Sequence, residues 1–196
     1  MSVLMRDIEA REKLTSVCAL LHENGPLFLT DAFVHVDPTT EQVVNSAEQA
    51  IYFAKKFGIE PKVALLSHSN YGTYEDPSAT KMKQATELLQ QRNPDIQIEG
   101  EMYSFTAFNE SLREAIYAES KLKGSANILV MPNMDAASIS LGLIRSLTQA
   151  RLVGPSLVGL RKGAHILIPS VSPRGIFNMS ALTAADIQVR RADAST

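Results

Sequence analysis

Ala126-Asn-Ile-Leu-Val-Met-Pro-Asn133 and, further along, Leu152-Val-Gly-Pro-Ser-Leu-Val-Gly159 set the architecture of the chain. Each is a short run of apolar, mostly branched residues that stops at Pro or Gly, as a buried parallel strand does at the edge of its sheet. Between them, residues 135–149 carry Ile139, Leu143 and Leu147 at helical spacing, which predicts a helix with that stripe turned inward. The whole reads as strand, helix, strand, and ligands of open α/β sheets gather at such strand ends.

The same alternation extends outward. Glu23-Asn24-Gly25 separates the apolar runs 15–22 and 26–33, which predicts an antiparallel hairpin. Asp37-Pro38-Thr39-Thr40-Glu41 then supplies an N-cap, a proline suited to the first helical position and early negative charge. Val43, Ala47, Ala50, Ile51 and Ala54 form the stripe of the helix that follows, which ends before Gly58. Residues 62–67 are a strand. Residues 78–91 are a helix by Met82, Ala85 and Leu89, and 96–98 a short strand. Phe105, Phe108, Leu112 and Ile116 mark another helix face. A strand at 165–168 and a helix at 173–190 close the chain. The expected fold class is α/β: a three-layer α/β/α sandwich with a mostly parallel sheet and an antiparallel hairpin.

Composition bounds the function. A chain of 196 residues with 45% hydrophobic content can bury a core,. A net charge of -2 and a pI near 6.1 give no general attraction to nucleic acid or to anionic membranes,. No apolar run approaches the roughly 20 residues that span a bilayer, and the N-terminus lacks the apolar core of a secretory signal. The expectation is a soluble, cytoplasmic protein. The single Cys18, among Val17, Ala19 and Leu20, reads as a small buried hydrophobe rather than a nucleophile. His22, His35, His68 and His165 stand at no metal-ligand spacing, so no metal site is expected, and His165 in its apolar strand reads as a core histidine. Neither a phosphate loop of the Gly-rich, Lys-Ser type nor a GxGxxG is present.

One loop stands out. Residues 68–77, after the 62–67 strand, are long for a connection of this kind and rich in hydroxyls, as binding loops are. Ser67, Ser69, Gly72 and Thr73 lie beside the start of the next helix and suit a phosphate or pyrophosphate, part of coenzyme A for example. They equally suit turns and helix caps. Asn133, Gly154 and Pro155, at strand ends, are further candidates to line the same cleft.

Five ordered motifs carry a resemblance. Thr30-Asp-Ala-Phe-Val-His-Val-Asp-Pro38, Phe57-Gly-Ile-Glu-Pro-Lys-Val-Ala-Leu-Leu-Ser-His-Ser-Asn-Tyr-Gly72, Gly100-Glu-Met102, Lys123-Gly-Ser-Ala-Asn-Ile-Leu-Val-Met-Pro-Asn-Met-Asp135 and Gly154-Pro-Ser-Leu-Val-Gly-Leu160 resemble the phosphate acetyltransferase and butyryltransferase family. With Arg161-Lys162 ahead of His165, they are most similar to the acetyltransferase-like C-terminal module of bacterial multimodular NADP-dependent malic enzymes. The resemblance implies an isocitrate dehydrogenase-like fold of two α/β domains facing across a cleft. On that basis 1–14 would be an extension, 15–160 the second domain, and 161–196 a segment returning to a first domain whose opening half precedes Met1. The apolar residues of that segment, Ile166, Leu167, Ile176, Met179 and Leu182, would need a partner, so a homodimer or larger homo-oligomer is expected.

The family's active-site pattern, Ser-Arg-Gly with an Asp five residues after the Gly, falls on Ile168-Pro-Ser-Val-Ser-Pro-Arg-Gly175. The serine position is Ile168, the phosphate-holding arginine is Pro169, and the thiol-deprotonating aspartate is Gly175. Losing a charge-assisted contact costs about 1.5 to 3 kcal/mol, and losing a positioned base roughly 100 to 10,000-fold in rate. No catalytic residue is therefore expected here. Two further departures agree: Phe105 stands where the family often has Asp, and Ser138 where it has Asn. Arg174 is a candidate to hold an anion in place of the lost residues, or else a solvated first-turn arginine. The resemblance thus implies a non-catalytic regulatory module binding acetyl-CoA, with NADP and a divalent metal belonging to catalytic domains elsewhere. A phosphate acetyltransferase with substituted residues, and a dimerisation scaffold without ligand, are the alternatives.

Overall fold

The computed structural model describes residues 14–160, 164–167 and 171–193. In chain order the elements are β1 (Thr15–His22), β2 (Gly25–Thr30), α1 (Thr40–Lys56), β3 (Lys62–Leu66), α2 (Pro77–Arg92), β4 (Gln97–Met102), α3 (Ser104–Phe108), α4 (Glu110–Ile116), β5 (Ile128–Val130), α5 (Met134–Leu147), β6 (Arg151–Val158), β7 (Ala164–His165) and α6 (Pro173–Asp193).

The strands form one seven-stranded sheet in the order β4-β3-β5-β2-β1-β6-β7. From β4 to β2 every pairing is parallel. The predicted hairpin pairs Val17 with Thr30 through to His22 with Gly25, and β6 and β7 continue the sheet antiparallel from β1. Strands β2 to β6 therefore share one direction, and only β1 and β7 oppose it. Gly25 closes the hairpin at φ +108, a conformation that side chains rarely adopt,.

Both faces of the sheet are covered, which accounts for the nearly continuous apolar strands. Val17, Phe28, Val63, Leu65 and Ile98 point to the layer of α1 and α2 and meet Val43, Ala47, Ile51, Met82 and Leu89. Cys18, Leu20, Leu29, Ala64 and Leu129 point the other way, to Met102, Ala107, Ala137 and Leu141. Alternate residues of β1 thus serve alternate cores, as the pleat requires. Each such burial contributes about 1.5 to 3 kcal/mol. The three-layer α/β/α expectation holds.

Several local expectations change. The cap of α1 is Thr39, not a residue nearer Asp37: its Oγ1 accepts from Gln42 N–H at 3.3 Å while Gln42 Oε1 accepts from Thr39 N–H at 2.9 Å. This reciprocal capping box places Pro38 just outside the helix. The face expected from Phe105 to Ile116 is broken at Asn109, which ends α3 and caps α4 by accepting from Leu112 N–H at 3.0 Å.

The largest change concerns α5. Ile139, Leu143 and Leu147 are 60%, 56% and 81% exposed, and the buried residues are Ala137 and Leu141. The helix has two apolar stripes, and the one containing small alanine lets it approach the sheet closely. No helix among the described residues is long and apolar enough to cross a membrane.

Candidate functional site

The predicted residues divide between two places. The first is the loop after β3. Because β3 and β4 run parallel, this loop emerges beside the end of β4. Gly100 is required there: a Cβ would lie 2.8 Å from each of Leu65 Cβ, Leu65 O and Thr86 Oγ1. The next residue, Glu101, is 2% exposed. Its Oε1 accepts from Ser69 Oγ and from Gly72 N–H, both at 2.7 Å. Ser67 Oγ accepts from Ser69 N–H at 3.0 Å and Thr73 Oγ1 from Asn70 N–H at 2.9 Å.

The protein's own carboxylate thus accepts from Ser69 and Gly72, two donors of the predicted set. In this structure Ser67, Ser69, Gly72 and Thr73 take part in hydrogen bonds that brace the turns of the loop. Two of the best donors are already engaged, and an incoming anion would meet like charge.

A second buried carboxylate lies one turn of the pleat away. Glu99 accepts from Lys121 N–H at 2.8 Å, with Tyr71 Oη at 3.4 Å. Burial pushes its carboxyl above the ordinary range, against the hydrogen bonds from Lys121 and Tyr71 and the positive charge of Arg113. Arg113 is fully buried and ties this corner together by donating to Ser120 Oγ and to the carbonyls of Thr106, Ala107, Leu122 and Gly124.

At the end of β2, Asp31 gathers another network. It accepts from Ser16 N–H at 3.0 Å, Ser16 Oγ at 2.5 Å, Val34 N–H at 3.2 Å, His35 N–H at 3.1 Å and His35 Nδ1 at 2.7 Å. Burial alone would raise this carboxyl, but the hydrogen bonds from His35 and Ser16 outweigh it and hold the group below its ordinary value. The loop so fixed receives Met134 N–H at Val36 O and Ser138 Oγ at Ala32 O. Asn133 is the cap of α5, its Oδ1 accepting from Ala136 N–H at 2.9 Å.

Asn133 lies apart from Gly154 and Pro155 in the sheet. Strands β2 and β1 lie between β5 and β6, and Gly154-Pro155 sits inside β6, where the register with β1 shifts between Val17 and Ala19. Proline and a φ of +117 at Gly154 belong to such a bulge,. Pro155 is buried.

The second place is the outer side of β6. There the described residues of β7 pair with Ser156 and Leu157. Beside the other half of the strand opens a cleft of about 530 Å³, whose walls include Arg145 of α5, Arg151 and Gly154 of β6, and Ser172, Arg174, Gly175 and Asn178 around the start of α6. Ser172 Oγ accepts from Gly175 N–H at 3.1 Å. Of the predicted residues, Gly154 and Arg174 meet here, and among the described residues no carboxylate lines the cleft. Gly175, at the position of the family aspartate, brings no acid to it. Ile168 and Pro169 lie outside the described residues. The sequence reading missed Arg145 and Arg151, which are distant from Arg174 along the chain. Cys18 is buried, its thiol pushed up to about 12 by burial and by the nearby Asp31 charge, and has no part in either place.

Comparison with known proteins shows the family and the fold. Residues 5–184 match the family model for phosphate acetyl/butaryl transferase. The chain is 48% identical over 171 residues to the NADP-dependent malic enzyme of Salmonella typhimurium, covering 87% of this chain and 22% of that protein. It is 30% identical over 167 residues to the phosphate acetyltransferase of Clostridium acetobutylicum, covering 85% of this chain and 50% of that one. A phosphotransacetylase structure from Streptococcus pyogenes matches with a TM-score of 0.83 at 29% identity, over 88% of this chain and 53% of the other. The chain spans about a fifth of the malic enzyme and about half of the two transacetylases. By sequence and by fold it belongs to the phosphate acetyl/butaryl transferase family.

Proposed function

We propose that this chain is a non-catalytic, regulatory and oligomerising C-terminal module of a malic enzyme, and that it binds acetyl-CoA in the cleft between β6 and α6. The observation behind this is the chemistry of that cleft: among the described residues three arginines and no carboxylate line it, with Gly175 in place of the family's base. Such a site retains affinity for anions and lacks the group that would deprotonate a thiol, a loss of roughly 100 to 10,000-fold in rate. The 48% identity to a malic enzyme against 30% to a phosphate acetyltransferase supports the same choice.

In this reading malate is decarboxylated elsewhere in the parent protein, by domains that hold NADP and a divalent metal, and a cytoplasmic location goes with it. Acetyl-CoA would act by binding one state of the parent better than the other. A 5 to 150-fold preference corresponds to about 1 to 3 kcal/mol of coupling. The outward stripe of α5, Ile139, Leu143 and Leu147, supports the oligomerising part, because its apolar area gains by being covered,.

Two measurements test the proposal. Thiol release from acetyl phosphate and CoA should be absent; turnover at transacetylase rates would replace this reading with the acyltransferase one. Calorimetry should detect acetyl-CoA binding, and its failure, in this chain and in the parent protein alike, would leave only a scaffold.

A further inference from the structure

We propose that Arg145 and Arg151, with Arg174, form a polyanion grip whose ligand carries at least two linked anionic groups, a diphosphate above all. This deepens the reading above and rests on it only in taking the β6–α6 cleft as the ligand site. All three side chains are exposed and come from three different elements, α5, β6 and α6, yet they wall one cavity in which no described carboxylate neutralises them. None makes an ion pair with a described residue. Three other cations are paired: Lys81 with Asp37, Arg92 with Glu41, and Lys123 with Glu114.

The chemical class follows from donor geometry. A guanidinium presents a planar fork that fits phosphate oxygens in pairs, and three forks around one cavity offer more donors than a carboxylate or a single phosphate can accept. Ser172 and Asn178 add neutral polar groups to the same wall. At about 530 Å³ the cleft is within the range that accommodates a small organic ligand, so the phosphates can belong to a larger molecule,. The like charges repel one another when nothing lies between them, and a diphosphate relieves that repulsion.

The probe is inorganic pyrophosphate, titrated by calorimetry into the 196-residue chain at about 50 and about 200 mM salt,. Binding should weaken with salt, and R145Q and R151Q should each weaken it about 10-fold or more, the scale of a lost charge-assisted contact. K83Q, an equal charge change on exposed Lys83 of α2, should leave it unchanged, and thermal melts should show all variants folded. No pyrophosphate binding at millimolar concentration, or equal binding by wild type, R145Q and R151Q, overturns the inference. Parallel titration with acetyl-CoA separates the two proposals. If the R145Q/R151Q double variant binds acetyl-CoA as wild type does, the grip is wrong and the effector reading stands; if wild type grips pyrophosphate through these arginines and ignores acetyl-CoA, the reverse holds.

Discussion

Glu101 holds Ser69 from the neighbouring loop at 2.7 Å, both groups buried, so that an acceptor near the end of β4 determines the shape of the chain leaving β3. Replacing Ser69 with Ala removes a hydrogen bond to a charged group and leaves Gly72 N–H as the remaining tie. A loss of about 1.5 to 3 kcal/mol in urea unfolding is expected. G100A should also destabilise, since the 2.8 Å contact with Leu65 O involves backbone that cannot swing aside,.

Arg113 binds four carbonyls and one hydroxyl with no exposure to water. R113M keeps much of the volume but strands those acceptors and leaves Glu99 without its nearby positive charge. Breaking such a buried arrangement costs about 3 to 5 kcal/mol, readable as a shift of the denaturation midpoint. R113K should recover only part of it, because an ammonium cannot reach carbonyls spread over residues 106 to 124.

Asp31 and Glu99 give stability opposite pH dependences. The folded Asp31 carboxyl titrates below its unfolded value near 3.8, so its contribution is complete above about pH 4 and is lost as pH falls through the folded value,. Glu99 titrates above its ordinary 4.5 in the folded chain, so its ionised form costs stability at neutral pH and that cost fades as it protonates,. E99Q should therefore stabilise at pH 7 and match wild type near pH 4. D31N should destabilise at pH 7 and approach wild type only in stronger acid. Unfolding curves at several pH values check both signs.

Leu147, 81% exposed on the outer stripe of α5, should tolerate L147E with little change in melting temperature. If that stripe is covered in an assembly, the same substitution will lower the mass measured by light scattering. An unchanged mass would move the oligomer contact elsewhere.

The hairpin and the positions of most strands could be anticipated because their signals are local. Asn24-Gly25 marks the hairpin, and apolar runs ending in Pro or Gly mark β5 and β6. What could not be read was long-range. Nothing near Ser69 says that a carboxylate 32 residues later accepts its hydrogen bond, although Glu99 and Glu101 inside an apolar strand were a sign that buried acids would need donors. The orientation of α5 was ambiguous because its sequence has two apolar stripes, and periodicity cannot say which one meets the sheet. Arg145 and Arg151 join Arg174 only through the folding of α5, β6 and α6 around one edge, which spacing along the chain does not reveal.

The bulge at Gly154 also bears on solubility. An extended segment from a foreign chain that docked along residues 151 to 153 would lose its hydrogen-bond register at the kink almost at once, and Arg151 would set a charge beside it,. The rim is thereby kept from templating sideways growth into fibres.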